Sequence, residues 1–435
     1  MKISAFQGIL YGVFGIGALI GLFVFATYTA KNGANAIGPV VIWGTLPKES
    51  MEATLTELNK IEVSLKNVSY VEKDQETLPA ELAAAIATGG APDLVLASQE
   101  NLLALAKFVA PIPLSTLPTS AFVNTFVGEG NLFAASGGAG YYGIPFLVDP
   151  LVLFSNHAIL ASLGIAKPPD TWEALTGLVP SVATLTSTRQ ITRGLIALGT
   201  YDNVDHARGI LSTLFLQIGV PISTYSAGGL AADLGRTSES GVPPGRAVLS
   251  FYTQFADPSK VSYTWDPSLP DSEKMFLTGD LALYIGYASR ARYLEAASPN
   301  LAIDTTPIPQ PATTKTRSVY GLAYALMLPR GAKNAAGAYQ AAVLLTEPMK
   351  QAVAAKTTGL APATLTALAA VPSDDPVAAV AYAEALYAKG WLSPSPLNTD
   401  RIFSRMIGNV VSGRSSFDTA LNSAGQSLSA LLQQK

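Results

Sequence analysis

The run "YYGIPFLVDPLVLFSN" occupies residues 141–156. Ile144, Phe146, Leu147, Val148, Leu151, Val152, Leu153 and Phe154 suit a buried strand. One carboxylate interrupts them, Asp149, with Pro145 on one side and Pro150 on the other. A charge is rarely buried without a partner, and a proline inside a strand marks an edge, a bulge or a bend. The stretch therefore reads as a core strand that bends, with an acid at the bend.

Upstream, strands and helices alternate. "PVVIWGT" (39–45) is an apolar strand ending at Trp43, and "ESMEATLTELNKIEVSLKN" (49–67) places Met51, Leu55, Leu58, Ile61 and Leu65 at helical spacing. "VSYVEK" (68–73) is a second strand. "TLPAELAAAIATGG" (77–90) predicts a helix with Thr77 as cap, Pro79 in the first turn and Gly89 as stop, and "DLVLAS" (93–98) follows as a third strand. This alternation predicts an α/β lobe with a mainly parallel sheet, in which ligands bind beyond the carboxyl ends of the strands. Trp43, Gly44 and Thr45 then share a rim with Ser98, Gln99 and Glu100.

Downstream, residues 157–280 form another α/β or largely helical block, in which Thr171 caps a helix carrying Trp172. Segment 223–245, rich in Gly, Ser and Pro, reads as an exposed loop or hairpin. "FLTGDLALYIGYASRARYL" (276–294) holds an apolar strand ending near Tyr287, and "SVYGLAYALMLP" (318–329) holds another. From Asn334 the chain is alanine-rich and helical.

A chain of 435 residues exceeds one ordinary core, so two lobes are expected. Charged residues make up 14%, the net charge is −3, and no basic block stands out, which argues against nucleic-acid binding. Cysteine is absent, removing disulfides, thiolate metal sites and thiol nucleophiles. The two histidines, His157 and His206, cannot make a His-rich metal site. From Ile3 to Ala30 there is no charge, long enough for a spanning helix of roughly 20 apolar residues. Residues 1–30 are read as a membrane anchor or uncleaved signal and 31–38 as a tether; Lys2 and Lys31 weakly favour a cytoplasmic N-terminus. "GANA" (33–36) leaves cleavage after Ala36 as the alternative.

Catalytic signatures are missing. There is no Gly-x-Ser-x-Gly turn, no phosphate loop and no dinucleotide fingerprint, so neither a cofactor nor a metal is expected. His157 reads as the start of a helix. His206, in "YDNVDHARG", has Asp205 and Arg208 as neighbours and reads as a solvated loop residue. Glu100 and Asp149 are the one pair of carboxylates that a glycan-processing enzyme would use. Binding is better supported. Trp43, Tyr141, Tyr142, Trp265, Tyr287, Tyr320 and Trp391 fall at strand ends or in Pro/Gly-rich loops, where an aromatic face can stack on a sugar. Gln99, Glu100 and Asp149 would accept from its hydroxyls.

"LAAAIATGGAPDLVLAS" (82–98) resembles the helix, turn and strand of the extracellular solute-binding proteins of ABC importers, carbohydrate-type family 1. "YYGIPFLVDPLVLFSN", "LGIAKPPDTWEAL" (163–175), "FLTGDLALYIGYAS" and "VVSGRSSFDTALNSAGQSL" (410–428) resemble further motifs of that family, in order from about residue 39 to 431. The resemblance implies a two-lobed type II periplasmic-binding-protein fold, with 39–147 and 288–332 as lobe 1 and 148–287 and 333–435 as lobe 2. It implies hinge closure on a carbohydrate, an oligosaccharide by preference, delivered as a monomer to a permease, and no enzymatic activity. Residues Trp43 to Lys48 (Thr45 among them), Gln99, Glu100, Asp149, Tyr287 and Asp400 match cleft positions, to which the aromatic set adds Tyr142, Trp265 and Tyr320. Asp149 is expected to face the wet cleft. The N-terminal span implies a single-pass anchor with the binding domain outside the cytoplasm. Two departures stand out: where the family usually has a lipidated cysteine or a cleaved signal this chain has an uncleaved-looking span, and Phe154-Ser155-Asn156 loses a tyrosine. The alternatives are a tethered receptor for another solute, a peptide or a polyamine (the acid-poor rim segments disfavour the polyamine), or a sensor partner, and the glycan-processing enzyme.

Overall fold

The computed structural model describes residues 37–434, apart from 227, 236–240 and 242. The expected membrane span and tether lie outside these residues, except for the tether's last two positions. Among the described residues, no helix is long and apolar enough to cross a membrane.

The chain opens as its hydrophobic pattern predicts. Strand β1 (Val40–Gly44) leads into helix α1 (Lys48–Ile61), which buries Met51, Leu55 and Leu58. Ile61 is 52% exposed, because the helix ends there and Leu65 is buried from a separate 3-10 turn, Val63–Asn67. Strand β2 (Val68–Glu72) pairs parallel with β1. Helix α2 (Leu78–Ala87) has Pro79 in its first turn and stops before Gly89, whose φ of +71° suits glycine. Thr77 does not cap it with its side chain; its hydroxyl instead donates to Glu81. Strand β3 (Leu94–Ser98), buried throughout, lies parallel to β1 on the other side and runs directly into helix α3 (Gln99–Leu105).

The stretch 143–156 is one strand, β4 (Gly143–Asn156), buried at every residue. Strand β5 (Ile191–Ile196) and helix α4 (Ala207–Gln217) precede β6 (Leu281–Tyr287), β7 (Ile303–Thr306) and β8 (Val319–Pro329). The sheet order is β2-β1-β3-β8-β4-β6-β5. Strand β4 belongs to both halves. Its residues from Gly143 to Pro150 pair antiparallel with β8, and those from Leu151 to Ser155 pair with β6. The two prolines mark its irregularities. Pro145 adjoins a bulge opposite Tyr324 and Ala325, while Pro150, opposite Gly321, is the last residue before the change of partner. The sheet is mixed rather than mainly parallel, because β4 and β8 return antiparallel through its middle.

Helices α5 (Ala335–Leu345), α6 (Pro348–Thr358), α7 (Pro376–Ala385), α8 (Pro396–Val411) and α9 (Phe417–Leu432) complete the chain. Helices α5 and α6, grouped above with the second lobe, lie instead against β1 and α1. Asn334 fixes this start: it accepts from Gly337 N–H and donates to the carbonyls of Ile37 and Pro39. Helices α8 and α9 pack on each other, and α8 also meets α4. The architecture is a mixed α/β fold in which β4 and β8 run through the middle of one mixed sheet.

Candidate functional site

Four of the sequence-predicted residues converge, brought by four elements. Glu100 sits in the first turn of α3, Tyr320 near the start of β8, Tyr287 at the end of β6 and Asp400 near the start of α8. What gathers them is a residue outside the predicted set, Arg208, in the first turn of α4. Its Nε donates to Glu100 Oε1 at 3.1 Å and its Nη2 to Oε2 at 2.9 Å, while Nη1 donates to Asp400 Oδ2 at 2.6 Å. The Tyr320 hydroxyl donates to Glu100 at 2.5 Å, and the Tyr201 hydroxyl donates to the second oxygen of Asp400 at 2.5 Å.

Glu100 is 1% exposed, so its charge is tolerable only because a bidentate guanidinium and two further donors, from Tyr320 and Gln75, surround it. The two carboxylates outweigh burial at Arg208 and hold its guanidinium above even its usual range. Burial, reinforced by the neighbouring Glu100 and Asp400 carboxylates, pushes the hydroxyls of Tyr287, Tyr320 and Tyr201 up, so all three remain protonated donors. Burial likewise pushes the His206 imidazole down to about 4, which keeps it neutral. His206 sits in the left-handed backbone region, φ 59°, immediately before α4, with its ring edge-on to Tyr287 at 4.9 Å.

This network borders a cavity of about 360 Å³, lined among others by Tyr201, Asp202, His206, Arg208, Tyr287 and Asp400. Two aromatic rings, two carboxylates and one guanidinium offer stacking, acceptance and donation within one space. Among the described residues, no group of three or more His, Asp or Glu side chains is placed to hold a metal ion.

The other predicted residues are elsewhere. Gln99 is fully buried and ties α3 to β8, donating to the Gly321 carbonyl and accepting from Ala323 N–H. Asp149 does not face the cleft. It is 4% exposed and both its oxygens hold Ser289, accepting from the backbone N–H at 3.1 Å and the hydroxyl at 2.6 Å. Burial outweighs these bonds and pushes its carboxyl up to about 7. Trp265 is a core residue, fully buried, with its indole donating to Asn203 at 3.2 Å. Trp43 and Tyr142 are half-buried on a second small core around Phe133, which Leu230 of the hairpin Ser223–Ser226 and Gly229–Ala232 also covers. Lys73 lies 4.0 Å above the Trp43 ring. Thr45 donates its N–H to the Leu96 carbonyl. Lys48 is exposed, 3.6 Å from Glu52. His157 opens a helix as predicted, paired with Asp304 at 2.7 Å.

Residues 55–384 match the family described as bacterial extracellular solute-binding protein. No curated protein matches the chain. Among solved structures, the cyclic alpha-maltosyl-1,6-maltose binding protein from Arthrobacter globiformis superposes with a TM-score of 0.71 at 18% identity, over 92% of this chain and 100% of that one. A cyclo/maltodextrin-binding protein complexed with maltotetraose gives 0.71 at 16% identity, over 93% and 99%. The Thermus thermophilus maltotriose binding protein bound with maltotriose gives 0.63 at 16%, over 91% and 99%. At such identities the likeness is one of fold.

Proposed function

From the premise that this chain belongs to the bacterial extracellular solute-binding proteins, we propose that it captures a carbohydrate, an oligosaccharide by preference, between its lobes. It closes on the sugar by hinge rotation and presents the closed form to the permease of an ABC importer. The observation that carries this is the cavity bordered by Tyr201, Tyr287, Asp202, Arg208 and Asp400. Rings for the C–H faces of a sugar stand beside charged acceptors and donors for its hydroxyls. A volume of about 360 Å³ falls within the roughly 300–1,000 Å³ typical of small-molecule sites. The structural relatives named above bind maltose-type sugars, which supports the same reading. Glu100 and Asp149, the pair a glycan-processing enzyme would need, are committed to Arg208 and to Ser289, and neither is free to act as acid or base. In this reading the chain works as a monomer, and the apolar segment 3–30 anchors it with the binding lobes outside the membrane.

One observation favours a second reading. The fold brings Asp202 and Asp400 to a cavity whose single cation, Arg208, is already neutralised by Glu100 and Asp400. That excess of acid suits an amine-bearing solute, such as a polyamine, better than the separate rim segments suggested. Thermal melts of residues 37–435 against oligosaccharides, peptides and polyamines separate the two. A solute at 100 times its dissociation constant adds about 2.7 kcal/mol to the folded state, a shift of roughly 2–4 °C per kcal/mol for domains of 150–250 residues. Stabilisation by a sugar recovered unhydrolysed upholds the first reading. A response to amines alone replaces it with the second.

A further inference from the structure

Glu129 is a buried acid that the binding network does not use. It lies in the 3-10 turn Gly128–Phe133, is 3% exposed, and has no hydrogen-bond partner at either carboxylate oxygen. It lies against two glycines, with the Gln99 amide, Leu132, Ala388 and Val148 beside the same gaps. A Cβ built on Gly390 would lie 2.7 Å from Oε1, and one built on Gly321 would lie 3.2 Å from Oε2. The carboxyl thus fills the space left where those side chains are missing. Gly321 is opposite Pro150, where β4 changes partners, and Gly390 follows Lys389, which pairs with Tyr320 at the start of β8. Glu129 is thus wedged between β8 at Gly321, beside the point where β4 changes partners, and the strand Ala388–Lys389.

The elements packed against this turn are β4, β8, α3 and the short strand Ala388–Lys389. Their ionisable groups make no hydrogen bond or ion pair with the carboxyl. Asp149 holds Ser289, Glu100 holds Arg208, the Tyr320 hydroxyl donates to Glu100, Tyr324 is buried, and Lys389 is exposed. None of them bonds to Glu129. An ionised carboxylate buried without a partner is the costlier form, and burial alone pushes this one up to about 8.

We propose that Glu129 is a proton-linked wedge in the hinge, protonated when the lobes are closed and ionised when the passages swing apart and admit water. This rests on the lobe closure of the proposed function, not on the identity of the solute. The sign follows from linkage. The described structure, in which Arg208 of α4 bonds Glu100 of α3, is taken here as the closed form; the carboxyl then binds its proton more tightly on closure, so closure is favoured fully below the ordinary carboxylate range and loses that advantage as pH rises through about 8. Between those limits the closed-to-open ratio falls by up to about tenfold per pH unit.

The absence of cysteine makes the test direct, since two introduced cysteines become the only labelling sites. Val63 and Val261, 65% and 79% exposed, lie on the first and second halves of the molecule. Spin labels on V63C/V261C in the detergent-solubilised full chain, without solute, report the lobe separation by pulsed electron resonance from about pH 5.5 to 9. The expected result is a growing long-distance population toward pH 9, abolished by Glu129→Gln, which cannot ionise and keeps the short distance throughout. A distribution independent of pH, or an equal shift in both proteins, overturns the proposal. Should that variant fail to fold, Glu129→Ala takes its place in the same measurement: a separation that still changes with pH in that protein overturns the proposal, and one independent of pH upholds it. Failure of the sugar reading shows separately, as silence in the thermal melts.

Discussion

Glu100 and Arg208, 108 residues apart in the chain, meet through two parallel hydrogen bonds of 3.1 and 2.9 Å. One residue comes from α3, beside β3, and the other from α4, which packs with α8. The pair therefore ties α3 to α4, and Asp400 of α8 extends it at 2.6 Å.

Arg208→Met is expected to be strongly destabilising. It leaves Glu100 at 1% exposure with only the Tyr320 hydroxyl and the Gln75 amide as donors. Removing one partner of a buried pair costs about 3–5 kcal/mol. Adding Glu100→Gln removes the stranded charge and should recover much of that loss. Urea unfolding of both variants checks this, and a single-variant loss below about 1 kcal/mol would mean that the pair is weakly coupled.

Asp149 is expected to govern stability against pH rather than to touch solute. Its folded carboxyl, near 7, stands above the unfolded value of 3.8, because burial outweighs the two bonds from Ser289. Its contribution is then complete below the unfolded value and is lost as pH rises through about 7. Asp149→Asn should flatten the decline seen between pH 5 and 8 in urea midpoints while leaving solute affinity near that of the unsubstituted protein. A large loss of affinity with an unchanged pH profile would return Asp149 to the binding surface.

Trp265 is expected to behave as core. Truncating a fully buried aromatic costs about 3–5 kcal/mol, and Asn203 loses its indole donor as well. Trp265→Ala should lower the melting temperature sharply, yet the folded fraction should bind solute with unchanged affinity. A selective affinity loss would instead place the ring in the cleft.

The contrast between Trp265 and Arg208 shows where the sequence is legible. Strands β1, β3, β4, β6 and β8 can be read from it because each is an apolar run, bounded by Gly, Pro or a turn, that the sheet buries. The two prolines of 141–156 announced an irregular strand, and the structure has the bulge and the change of partner. Asp149 announced a partner too, but that partner is Ser289, 140 residues away, and no local pattern names it. Trp265 sits in a Pro- and Ser-rich loop that looks exposed, while its ring reaches back into the core. Arg208 is the reverse case: in the first turn of a helix a lone arginine reads as a solvated charge. Only the tertiary fold supplies its two carboxylates. The one local sign was "YDNVDHARG", whose cluster of ionisable and aromatic residues now lines the cavity.

Tyr287 decides whether that cavity is where solute binds. Its ring is half-buried, borders the cavity and stands edge-on to His206 at 71°. Because the residue is only half-buried, Tyr287→Ala should leave the unliganded protein folded, with a melting temperature lowered by a few degrees. Covering the ring with a sugar contributes about 1.5–3 kcal/mol, so its loss should weaken binding roughly tenfold to a hundredfold. Tyr287→Phe keeps the stacking face and drops only the hydroxyl, and it should retain most of the affinity. Isothermal titration of both variants with the sugar that stabilises the unsubstituted chain separates the cases. Loss in Ala alone assigns the contact to the ring face, and loss in both assigns it to the hydroxyl. Full affinity in both moves the sugar away from this cavity, toward the other half-buried aromatics, Trp43 and Tyr142, beside the hairpin.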